Sequence, residues 1–156
     1  MKMSPLQNAL SLAGRILIAS LFVPSGWAKI GGFAGTVGYI AAKGIPLPQL
    51  CAAIAIAAEL VLPLLMLAGF KARWAALALA LYTIAITPIF HGYWAAPAAQ
   101  HMAQYLNFYK NLAIAGGLLL IAATGPAAGA WTHPGVNPAR SGLHRASPLT
   151  PGRPGD

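Results

Sequence analysis

The chain has 156 residues, 58% of them hydrophobic and 8% charged. Soluble domains carry about 25% charged residues, and one of this length keeps too large an exposed fraction to hide so much apolar surface in a single core. Ten Lys/Arg against two Asp/Glu give a formal charge of +8. The cations sit at the edges of apolar runs and in the C-terminal segment, not on an aromatic-interleaved basic face, so the expected partner is a lipid bilayer and no nucleic acid is expected.

The apolar runs, in chain order, cover about Leu10–Trp27, Leu50–Phe70, Trp74–Phe90 and Leu106–Ala123. Each is about 17–21 residues, enough to cross a hydrocarbon core of about 30 Å as a helix. Helix is required there, because an open strand leaves backbone groups unpaired in lipid. Lys2 followed by apolar residues resembles the start of a signal peptide, but Arg15 interrupts the stretch and no A-x-A site follows, so an uncleaved first span is expected.

Between the first two runs stand Gly31, Gly32 and Gly35, an apolar patch of Phe33, Val37, Tyr39 and Ile40, and then Lys43-Gly44-Ile45-Pro46. This reads as a short interfacial helix ended by Gly44, with Pro46 preventing continuation. Gly69, Lys71 and Arg73 make a tight turn, so the second and third spans are antiparallel neighbours. The fold class is therefore all-α, a four-transmembrane-helix bundle with a short interfacial segment between helices 1 and 2, occupying residues 1–125.

Residues 126–156 are rich in Pro, Gly and Arg and read as a flexible basic cytoplasmic tail. Lys2, Lys71, Arg73, Arg140 and Arg145 fall on one side of the spans, and Lys29, Lys43 and Lys110 on the other. The excess favours both termini in the cytoplasm. Trp27, Tyr93, Trp94, Tyr105 and Tyr109 form one aromatic belt, Trp74 and Trp131 the other.

Polar residues inside the spans carry the functional signal. Glu59 is the only acid before Asp156 and lies near the middle of the second span. A lone carboxylate there must face the bundle and find a partner. Counting rise along the helices sets Arg15 and Glu59 at depths within about 4 Å of each other, so an Arg15–Glu59 pair is expected. Pro63, four residues after Glu59, removes the hydrogen bond to the Glu59 carbonyl, and Pro24 and Pro88 act likewise on Ser20 and Ile84. Lys29 shares a helix face with Arg15, His91 ends the third span, and Lys110 and Asn111 open the fourth. If these faces converge, Glu59 lies below a cationic mouth of Lys29, His91 and Lys110, suited to an anion or to quinone-like oxygens. Against that stands the ordinary alternative, in which Lys29 and Lys110 snorkel and His91 is solvated. The small residues Ala113, Gly116 and Gly117 read as a packing face. His91 and His101 are ten residues apart with no further acid or thiol nearby, so no metal site is expected, and the single Cys51 excludes self-contained dithiol chemistry.

The order "GRILIASLFVPSGWAKI", "GIPLP", "AELVLPLLMLAGFKARWAALAL", "FHGYW" and "FYKNLAIAGGLLL" resembles the DoxX family of small bacterial membrane proteins, over about Leu10 to Gly125. In that resemblance Arg15 matches the first-span arginine, Gly26 and Lys29 a Gly-x-x-Lys end, Glu59 the intramembrane acid with Gly69 after it, His91 the histidine after span three, and Lys110, Asn111, Gly116 and Gly117 the Lys-Asn and Gly-Gly pairs. It implies a four-helix fold in a bacterial inner (plasma) membrane and a link to membrane redox processes, with soluble thiol or superoxide enzymes as partners of some members. Three functions are carried forward: a redox accessory or oxidoreductase subunit with a pocket at Glu59, Arg15, Lys29, His91, Lys110 and Asn111 for a quinone or small anion; a non-catalytic adaptor recruiting soluble redox enzymes; and a small-solute transporter, for which four helices would need to form a homo-oligomer. No residue is assigned a catalytic role.

Overall fold

The computed structural model describes residues 4–125. The expected tail at 126–156, with Trp131, Arg140 and Arg145, and also Lys2, lie outside the described residues. The chain folds into α1 (Pro5–Gly31), α2 (Phe33–Ala42), α3 (Pro48–Ala68), α4 (Ala72–His91), a short 3-10 turn (Tyr93–Ala95) and α5 (Ala98–Thr124), with no strand among the described residues. Four of these, α1, α3, α4 with its 3-10 extension, and α5, are long and apolar enough to cross a membrane, and α2 is a shorter apolar helix between the first two.

Local sequence explains the boundaries. Ser4 caps α1 in a capping box with Gln7, and Pro5 occupies the first turn. The α2 helix stops at Lys43, where Gly44 takes φ +71°; that left-handed conformation is the one glycine tolerates at a helix end. Gly69 ends α3 the same way at φ 74°, and three residues separate Ala68 from Ala72, which makes α3 and α4 an antiparallel hairpin. Pro24, Pro63 and Pro88 lie inside α1, α3 and α4, and the helices continue through them. The fourth spanning helix starts at Ala98, eight residues before the expected Leu106.

Helix α4 is the centre of the bundle, packed between α3 and α5, while α1 lies on α3 and α2 chiefly on α3. The core joins Phe22 of α1, Met66 of α3, Ala75, Ala76, Leu79 and Ala80 of α4, and Leu118 of α5. Alanines along α4 let neighbouring backbones approach closely, the usual mode of helix association in lipid. Thr83 and Thr87 are also buried and satisfy their hydroxyls on the Leu79 and Thr83 carbonyls of their own helix.

Arg15 is buried, but its partner is not Glu59. Its Nη1 donates to the Met66 carbonyl at 3.2 Å and its Nε to the Ser11 carbonyl at 3.2 Å. Met66 is in the last turn of α3, where its carbonyl has lost the i+4 donor and otherwise takes only a 3.3 Å bond from the Gly69 N–H. Arg15 therefore caps a helix C-terminus, where a cation also complements the helix dipole. The expected pair fails because the helices do not end flush. Arg15 is ten residues into α1 and faces the last turn of α3, so the start of α1 runs about 12 Å beyond the end of α3. Arg73 serves α5 in the same way, its Nε donating to the Ala122 carbonyl at 2.9 Å.

Arg15→Leu is expected to lower unfolding stability by about 1.5–3 kcal/mol, the worth of a hydrogen bond to a charged group. Because Arg15 and Glu59 share no partner, the costs of Arg15→Leu and Glu59→Gln should add to within about 0.5 kcal/mol in a double-mutant cycle, measured by denaturant unfolding in detergent.

Candidate functional site

Glu59 is eleven residues into the 21-residue α3, near mid-helix, and is 4% exposed. A carboxylate at that depth needs donors supplied by the bundle. Lys29 of α1 provides one, its Nζ at 2.7 Å from Oε2, and Tyr82 of α4 the other, its hydroxyl donating to Oε1 at 2.7 Å. Lys29 also donates to Ser25 Oγ at 2.8 Å, one turn back on its own helix. Each carboxylate oxygen thus receives one short bond from a different helix, and Glu59 ties α1, α3 and α4 together. The pair is neutral overall, which lowers the cost of holding it in a low dielectric.

Gly26 makes this geometry accessible. A Cβ there would lie 2.9 Å from Leu60 Cγ and 3.1 Å from Glu59 Cβ. The backbones of α1 and α3 therefore cross at the level of Glu59, and Lys29, three residues further on, lies on the same face of α1.

On the α2 side of this triad is a cavity of about 400 Å³. Its walls are mainly apolar, with Ile40 from α2, Ile54 and Ala55 from α3, and Ile86, Ile89 and Phe90 from α4. Lys29, Glu59 and Tyr82 supply its principal polar groups, and Cys51, Thr36 and His91 also line it. His91 Nδ1 is 2.9 Å from Gln104 Oε1 of α5. Cys51 donates to the Pro46 carbonyl at 3.5 Å.

Of the residues expected at the site, Glu59, Lys29 and His91 line one cavity. Arg15 caps α3, and Lys110 is exposed on α5, away from the cavity, with its Nζ at 2.8 Å from Asn107 Oδ1. Asn111 is half-buried on α5 and does not line the cavity. His101 packs edge-on against Tyr93, which also meets Tyr105 and Phe108 in an aromatic cluster at that end of the bundle. Tyr82, which bonds Glu59 and lines the cavity, is the member of this polar centre that the sequence reading missed. Its signal was a tyrosine in mid-span, far from the interfaces where tyrosines collect, whose hydroxyl needs a partner.

The fold and the charged triad are those of a helical integral membrane protein with a buried polar centre. The DoxX family model matches residues 10–92. The chain is 40% identical over 119 residues to inner membrane protein YphA of Escherichia coli (strain K12), covering 76% of this chain and 85% of that protein. It is also 40% identical over 129 residues to inner membrane protein YqjF of the same organism, covering 81% and 92%. No solved structure matches it. The chain belongs to the DoxX family and is a multi-pass bacterial inner membrane protein.

Removing one member of a buried ion pair costs about 3–5 kcal/mol. Lys29 is 28% exposed, so Lys29→Met is expected near the lower end of that range. The double variant Lys29→Met with Glu59→Gln, which leaves no unpaired charge, should be more stable than Lys29→Met alone; thermal unfolding in detergent compares them. Gly26→Val should disrupt the same pair by forcing α1 off α3.

Proposed function

We propose that this protein is an accessory of a membrane redox system, and that its cavity holds the head group of a quinone-like ligand. The single observation that carries this reading is a mainly apolar cavity of about 400 Å³ containing the Lys29–Glu59–Tyr82 triad. Small-molecule sites are typically ~300–1,000 Å³, apolar, with a few convergent polar groups. Here the groups suit a ring carbonyl. Lys29 has three N–H donors, of which Ser25 and Glu59 occupy two, so one remains for an acceptor. The Tyr82 hydroxyl, which donates to Glu59, keeps lone pairs for a ligand hydroxyl.

A small anion fits this floor less well. Glu59 already matches the charge of Lys29, while Arg15 and Lys110 face elsewhere. Reduction of a quinone needs protons as well as electrons. The triad offers proton donors at the carbonyl, and a partner redox enzyme at the membrane supplies the electrons. With both termini in the cytoplasm, as the placement of Lys71 and Arg73 favours, the α2 side of the bundle and its cavity belong to the periplasmic half of the membrane.

The test is titration calorimetry of a short-chain benzoquinone into the purified protein in lipid nanodiscs. Saturable binding is expected, weakened about tenfold in Lys29→Met, the equivalent of ~1.4 kcal/mol for one hydrogen bond. Ala55→Phe, which fills the cavity one turn from Glu59 and removes no group of the triad, should abolish binding while the protein still unfolds cooperatively. Absence of saturable binding, or equal binding by Ala55→Phe, overturns the reading.

A further inference from the structure

The cavity is bounded on its outer side by two elements, α2 and α4, whose backbones do not approach each other. Helix α2 rests on α3 and more lightly on α1. Aromatic contact across this seam comes from Tyr39 of α2, whose ring stands 5.3 Å from that of Phe90. Its hydroxyl donates to the Phe90 carbonyl at a long 3.5 Å. Lys43 Nζ lies 5.7 Å over the same tyrosine ring, within cation–π range. Tyr39 is thus a side-chain bridge between two walls with no backbone bond between them.

The lips of the seam are apolar and open. Tyr39 is 50% exposed, Ile54 55% and Ile89 44%, and all three line the cavity. Ile54 is six residues from the start of α3, about 9 Å along the helix, and Glu59 eleven, about 16 Å. A hydrocarbon core of about 30 Å puts its midplane some 15 Å from either face, so the triad lies near mid-membrane and the lips border lipid. The α2 segment is also lightly anchored at both ends. Gly32 precedes it without a side-chain cap, and Gly44 at φ +71° follows it.

We propose that the cavity takes its ligand sideways from the lipid, between α2 and α4 and past Tyr39. It then selects molecules dissolved in the membrane over water-borne anions. This rests on the cavity being a ligand site, but it concerns the route and the class of molecule admitted. Tyr39 is a gating residue; its ring closes the seam, and its hydroxyl contributes little.

The experiment needs no quinone, so its failure and that of the quinone reading are separable. Cys51 is the single native cysteine and lies near the start of α3, so it is first replaced, Cys51→Ser. A reporter thiol is then placed one turn deeper on the cavity wall, Ala55→Cys. The protein in liposomes of phosphatidylethanolamine and phosphatidylglycerol is labelled with N-phenylmaleimide or with a sulfonated maleimide, and each rate is divided by that reagent's rate on a free thiol in solution. Both reagents attack the same thiolate, so the ratio cancels its pKa. The lipid-soluble reagent should react at least about tenfold faster on this normalised scale, a ratio corresponding to ~1.4 kcal/mol in barrier. Tyr39→Ala should raise its rate several-fold with no gain for the sulfonated reagent, and Tyr39→Phe should leave both rates unchanged. A lipid-facing control on α3 away from the cavity, Val61→Cys, should label at a rate independent of Tyr39. Equal normalised rates for the two reagents, or rates at Ala55→Cys insensitive to Tyr39→Ala, overturn the proposal.

Discussion

A carboxylate near the middle of a bilayer is tolerated only where donors reach it from within the protein, and Glu59 sets that requirement for three helices. Lys29 and Tyr82 approach it from opposite neighbours, each at 2.7 Å. For Lys29 to do so, α1 must cross α3 at Gly26, where no side chain fits between the backbones. For Tyr82 to do so, α4 must run antiparallel beside α3, which the short turn after Gly69 provides. The cavity follows from the same arrangement. Helix α1 ends at Gly31, two residues beyond Lys29, and the space beside the outer halves of α3 and α4 is walled partly by the short α2.

Lys29, Arg15 and Arg73 divide into two groups by what they serve. Lys29 answers a side-chain charge. Arg15 and Arg73 instead answer carbonyls at the C-terminal ends of α3 and α5, at the opposite end of the bundle from α2. A guanidinium reaches a carbonyl with fixed, forked donors, which suits it to capping, whereas the ammonium of Lys29 is a compact point charge able to serve Ser25, Glu59 and a ligand at once.

The fold was legible because its signals are local. Runs of apolar residues marked the four spans, and Gly44 and Gly69 marked two helix ends at the positions where φ is positive. The site was legible only in part, because it depends on how helices slide past one another. Glu59 announced itself as a lone acid, and Lys29 and His91 do lie on its cavity. Arg15 was given the wrong partner because depth was counted from span ends assumed to be level, and α1 overhangs α3. Lys110 and Asn111 were placed in the mouth because the rotation of α5 about its axis is not readable from spacing. Tyr82 was passed over because an aromatic in an apolar run resembles packing until its hydroxyl is considered.

The order of the chain gives the Arg15 cap a consequence for biogenesis. Arg15 is translated some fifty residues before the carbonyl it serves. When α1 leaves the ribosome its guanidinium has only the Ser11 carbonyl of its own helix, and, being level with the last turn of α3 and not with mid-membrane, it can reach the interface by snorkelling. The Met66 carbonyl becomes available only once the last turn of α3 has emerged, so the arginine exchanges an interfacial contact for a buried one as the second span arrives, and the α1–α3 contact closes after the first helix is already in place.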